Sequence, residues 1–117
     1  MGDTVAPLEA GSTGSARLLG NFPPNRVEMS GNIDITLTAE LAEVVREIEL
    51  RGGPVEVRAA GVTFMDSAAL AMIARLAYQH PVRVIDPPKV VEFLLDTTRV
   101  IEMVQVVYSL NRPSVNA

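Results

Sequence analysis

The chain has 117 residues, 48% of them apolar, enough for one domain with a real core and little beyond it. Its 10 Lys and Arg stand against 14 Asp and Glu, a net charge of −4, and no basic run is long enough to neutralise a row of phosphates, so direct nucleic-acid binding is not expected. Cysteine is absent, which removes disulfides, thiolate metal sites and thiol nucleophiles.

Residues 1–14 are rich in Gly, Ser, Thr and Pro without an apolar period, and are expected to form a flexible tail. They lack the basic start and apolar stretch of a secretion signal. The longest unbroken apolar run, residues 68–74, falls far short of the ~20 residues that span a bilayer. The chain is therefore expected in the cytoplasm, without membrane insertion.

Residues 16–19 and 26–30 are predicted strands of an opening hairpin, joined by the turn chemistry of Asn21-Phe22-Pro23-Pro24-Asn25. From Thr38 the period changes to 3.6. Leu41, Val44, Val45 and Ile48 share one helical face, Thr38 is placed to cap the start and Gly52 to end the helix. Val55, Val57 and Ala59 then alternate with Glu56 and Arg58 as a strand with one buried face, and Val62 and Phe64 lead to a junction at Asp66-Ser67. Beyond it Leu70, Ile73 and Ala77 form an apolar stripe among alanines that ends at His80-Pro81.

Residues 82–85 read as a short buried strand. Asp86-Pro87-Pro88 opens a third helix with an inner face of Val90, Val91, Leu94 and Leu95, and residues 98–107 add a short helix and a last strand. This alternation predicts a single α/β domain over residues 15–108: a mixed sheet of four or five strands, the later ones parallel, with helices packed against it. Residues 109–117 read as a polar tail. The expected core is Leu41, Val45, Ile48, Val57, Phe64, Leu70, Ile73, Ile85, Leu94 and Leu95.

Catalysts are hard to find. The single histidine, His80, lies 13 residues after Ser67 on the same predicted helix, roughly 20 Å away at about 1.5 Å per residue, so the two form no nucleophile–base pair. No phosphate-binding glycine motif or paired His ligands occur, and Glu47 and Glu49 belong to a solvated helix face. Neither an enzyme nor a cofactor site is expected.

The Asp66-Ser67 junction has two compatible readings. Both residues are good helix caps, because a side-chain oxygen accepts an orphan N–H of the first turn. A phosphate on Ser67 would also sit against those N–H groups at the positive end of the helix dipole.

"VTFMDSAALAMIARLA", preceded by "VEVRAA" and "SGNIDITLTAELAEVV", resembles the STAS domain of bacterial anti-sigma factor antagonists over residues 26–107. Gly31-Asn32-Ile33-Asp34 matches that family's Gly-x-Leu/Ile-Asp element. Phe64-Met65-Asp66-Ser67, with Leu70, matches its apolar-Asp-Ser-Ser/Thr-Gly-Leu element. The resemblance implies partner switching. The unphosphorylated antagonist binds an anti-sigma factor that is also a serine kinase, displacing the sigma factor, and phosphorylation of the serine after the aspartate, here Ser67, releases it. It also places Asp34, Asp66, Ser67, Ala68 and Ala69 at the partner surface. The chain departs from the pattern at Ala68 and Ala69, which replace the second hydroxyl and the glycine, and at Arg58, where relatives often carry an acid. A second implied role is a constitutive STAS scaffold or regulatory subunit of another complex, such as a transport assembly, in which Ser67 stays unmodified. The resemblance leaves the oligomeric state open.

Overall fold

In a computed structural model, residues 14–109 are described. Apart from Gly14 and Ser109, the two predicted tails lie outside them. Strands β1 (Ser15–Leu19) and β2 (Asn25–Ile33) form the expected antiparallel hairpin, with Ala16 opposite Met29. Helix α1 (Thr38–Arg51) leads to β3 (Val55–Met65), α2 (Ser67–Gln79) to β4 (Val82–Ile85), and α3 (Lys89–Thr97) with the 3-10 turn Val100–Glu102 to β5 (Gln105–Val107). The sheet order is β1-β2-β3-β4-β5, and the last four strands are parallel.

Each parallel step moves one strand in the same direction. Because such crossovers are right-handed, the three helices must share one face of the sheet. Burial agrees: Val27, Met29, Ile33, Val55, Val57, Val82 and Val84 are buried on the helical side. The other face carries Arg17, Arg26, Glu28, Arg58 and Arg83, held partly by cross-strand pairs such as Arg17–Glu28 at 3.4 Å and Arg26–Glu56 at 3.5 Å.

The core follows the helical periods. Leu41, Val45 and Ile48 of α1 meet Leu70, Ile73 and Leu76 of α2, and Val91 and Leu95 enter from α3. A two-point clamp ties α1 to α2 above this packing, with Arg75 Nε donating to Glu49 Oε2 at 2.9 Å and Nη2 to Oε1 at 3.1 Å. Glu49 is thus an inter-helix partner rather than part of a purely solvated face, whereas Glu47 is exposed.

Three expected core residues sit differently. Phe64 is 48% exposed. The reason is that β3 is one 11-residue strand in which two extra residues are accommodated against β2: Glu28 and Ser30 face Arg58 and Gly61, and Gly31 and Asn32 face Val62 and Phe64. Each such irregularity reverses the side-chain phase. The inward set runs 55, 57, 59, then 62, then 65, so Met65 takes the interior place that alternation from Val62 gives to Phe64. Ile85 follows the buried Val84 and turns to the open face, and Leu94 is half-buried at the margin of α3.

The end of the sheet where β2 and β3 begin is closed by its own polar contacts. Asn25, expected in a turn, is fully buried, and its Nδ2 donates to Gly52 O at 2.9 Å and Pro54 O at 3.2 Å. His80 ends α2 there, with Nδ1 3.1 Å from Gly53 O.

Ile73→Ala should destabilise the domain by ~2 to 5 kcal/mol in a denaturant melt, as buried large-to-small changes do. Phe64→Ser should cost markedly less; equal losses would show Phe64 to be a core residue in solution.

Candidate functional site

At the opposite end, where β2 and β3 finish side by side, Ile33 is opposite Met65 and both are buried. The next residue of each strand is an aspartate. Asp66 N donates to Ile33 O at 3.1 Å, which holds the two chain exits together as they turn into their helices. Gly31, two residues before the β2 exit, has φ +75°, a left-handed value that favours glycine and accommodates the second register shift.

Both aspartates cap. Asp34 starts a 3-10 turn (Ile35–Leu37), and its Oδ1 accepts from Thr36 N at 2.9 Å and from Thr36 Oγ1 at 2.6 Å. The Thr36 hydroxyl, and then its N–H, hold the Asp34 carboxyl below the usual aspartate range, since both stabilise the charged form. Asp66 is the N-cap of α2: its Oδ1 accepts from Ala69 N at 2.9 Å and its carbonyl from Leu70 N at 3.1 Å.

The predicted site residues divide accordingly. Asp34 and Asp66 lie next to each other, half-buried, and Ser67 and Ala68 are exposed on the first turn of α2. Ala69 is fully buried, so its methyl belongs to the core and only its backbone N–H serves the junction, through Asp66. Helix geometry leaves the N–H groups of Ser67 and Ala68 without intrahelical acceptors. The Ser67 hydroxyl has no hydrogen-bond partner among the described residues, whereas nearby Thr36 bonds Asp34 and Thr38 Oγ1 donates to Ile35 O at 2.7 Å.

Residues 31–37 and 63–69 contain two ionisable side chains, both acidic. Beside them Ile35 is 71% exposed and Phe64 nearly half. Sequence reading missed Thr36, Ile35 and Phe64 as parts of this surface, although Asp-x-Thr after a strand is a recognisable turn signal. His80 is at the far end of α2, so the geometry brings no base to Ser67. Among the described residues, no group of three or more His, Asp or Glu is arranged to hold a metal, and no helix is long and apolar enough to cross a membrane.

The fold has counterparts in solved structures. An anti-sigma factor antagonist from Mycobacterium paratuberculosis superposes with a TM-score of 0.72, covering 86% of this chain and 90% of its own at 13% identity. The chain has the fold of an anti-sigma factor antagonist. The antagonist SpoIIAA in its unphosphorylated form is similar as well, with a TM-score of 0.59, 12% identity and coverage of 80% of this chain and 87% of its own. No protein-family model and no curated protein sequence matches the chain. At such low identity the likeness is one of architecture, a mixed five-stranded sheet with three helices.

Asp66→Ala should cost about 1 kcal/mol of stability through loss of the cap, read in a denaturant melt. Asp34 has a folded pKa below its unfolded one, so its contribution is fully present above the unfolded value and disappears as pH falls through the folded value. The gap in melting temperature between wild type and Asp34→Ala should be widest near neutrality and close on acidification. A gap that widens in acid would contradict the Thr36 contacts.

Proposed function

We propose that the chain is an anti-sigma factor antagonist that works by partner switching from the strand-exit end of its sheet. Unphosphorylated, it binds an anti-sigma factor of the serine-kinase type through Asp34, Asp66, Ser67 and Ala68; phosphorylated on Ser67, it is released. The observation that carries this reading is the exposed, unbonded Ser67 hydroxyl on the first turn of α2, between the Asp66 cap and the free N–H groups.

The chemistry asks little of this chain. A kinase transfers the terminal phosphoryl of ATP to Ser67 Oγ: the new O–P bond forms, the bond to ADP breaks, and the hydroxyl proton passes to the kinase's base. The protein supplies the acceptor, held by a rigid helix start. The phosphate adds roughly −1.5 to −2 charges next to Asp34 and Asp66. On a surface that must desolvate against a partner, that charge costs far more than it does in water, so release follows from local electrostatics without refolding. Buried Ala69 presents no methyl to the partner, so its replacement of the family's glycine leaves the outer contour intact. Exposed Ala68 removes a competing hydroxyl and leaves Ser67 the only hydroxyl of the junction after Asp66. The reading places the protein in the cytoplasm with its kinase.

The test is binding to a purified candidate anti-sigma kinase. Ser67→Ala should stay within about tenfold of wild-type affinity, ~1.4 kcal/mol. It should also abolish phosphorylation, while Ser67→Glu should bind more weakly. Asp34→Asn, which retains an acceptor for Thr36, should weaken binding with only a small fall in melting temperature, no larger than that of Asp34→Ala. If both Ser67 variants bind like wild type and no phosphate is gained, the switch is absent and the constitutive scaffold takes its place.

A further inference from the structure

The outer face of α3 has features that the strand-exit end does not explain. Lys89, Glu92, Phe93 and Asp96, spaced i, i+3, i+4 and i+7, lie on one side of this nine-residue helix, opposite the buried Val91 and Leu95. With Ile101, Val106 and Tyr108 they line an open groove of about 680 Å³. Phe93, in the middle of the helix, is 66% exposed.

Two of the three charges on this face, Lys89 and Asp96, are placed against the helix dipole, whereas Glu92 in the first turn is placed with it. Lys89 is the first residue of α3 and Asp96 lies in its last turn, the reverse of the favourable arrangement. Neither has an ion-pair partner among the described residues, although the neighbouring Arg99 and Glu102 pair at 2.9 Å. Local helix stability therefore does not account for them, and an outside partner of opposite polarity would.

We propose that the partner is a second copy of this chain, docked by α3 on α3 about a two-fold axis. In an antiparallel pair centred between Glu92 and Phe93, Lys89 of each copy faces Asp96 of the other. The two dipoles then run in opposition, and near the axis the exposed Phe93 ring of each copy closes over the apolar groove wall and the aliphatic stem of the other's Glu92, whose carboxylate stays at the solvated margin. The pattern is self-complementary: one face supplies both the acid and the base, as a two-fold contact requires. A nine-residue helix is only ~14 Å long, so the contact falls at the small end of specific interfaces and self-association should be weak and concentration-dependent. The inference is independent of the Ser67 reading, because this face belongs to a different element of the fold.

Sedimentation equilibrium of the full chain across a wide concentration range tests it. The average mass should rise towards that of two chains. Phe93→Ser should hold it at one. Lys89→Asp should weaken association roughly tenfold, by replacing two ion pairs with two repulsions, while the fold itself is unharmed or stabilised because an acid at the helix start suits the dipole. Combining Lys89→Asp with Asp96→Lys should restore association, the readout that a purely structural role would not give. A single-chain mass at the highest concentration, including the case in which residues 110–117 cover the groove themselves, would overturn the proposal. So would a Lys89→Asp variant that associates like wild type, or a double exchange that fails to rescue.

Discussion

The site depends on the parallel pairing of β2 with β3, and above all on where that pairing stops. The hydrogen bond from Asp66 N to Ile33 O joins the chain at two points 33 residues apart and sets both strand exits at one level. Two polypeptide turns must then start side by side, each needing an acceptor for its orphan N–H groups, and each finds it in an aspartate. Two carboxylates and a serine on one small surface are thus a consequence of register. A ladder displaced by one residue would reverse Met65 and Asp66 and place a charge in the core.

In the proposed switch, capping and signalling do not compete, because different residues of the junction would carry them. Asp66 satisfies the helix start, Ala69 anchors the first turn in the core, and the Ser67 hydroxyl between them has no hydrogen-bond partner among the described residues. A modification at Ser67 therefore changes the surface charge while leaving the cap and the packing below it undisturbed. That division is what a reversible switch needs: the signal has to alter binding by several kcal/mol without drawing on the ~5 to 15 kcal/mol that hold a small domain together.

Much of this was legible in the order of the residues. The 3.6 period of Leu41, Val45 and Ile48, the alternation of Val55, Val57 and Ala59, and the Asp66-Ser67 start of α2 each reflect contacts near in sequence, and each holds. What was not legible rests on distant partners. Phe64 turns outward because β3 must absorb two extra residues against β2, and only the pairing reveals them; Ala59-Ala60-Gly61 hints at an irregularity without giving its phase. Asn25 reads as a turn residue until the Gly52 and Pro54 carbonyls, 27 and 29 residues on, arrive to accept from it. Ala69 looked like a surface residue by its place in the motif, yet one position along a helix moves a side chain by ~100°, enough to carry it from the outer surface to the interior.

The central claim is that Ser67 is the acceptor of a regulatory phosphate. Intact-mass analysis of the protein isolated from its own cells, before and after phosphatase treatment and followed by peptide mapping, tests it most directly. The account predicts a population heavier by one phosphate, removed by the phosphatase and mapped to the peptide that contains Ser67. A single unmodified mass under every growth condition, or a phosphate on another residue, would contradict it.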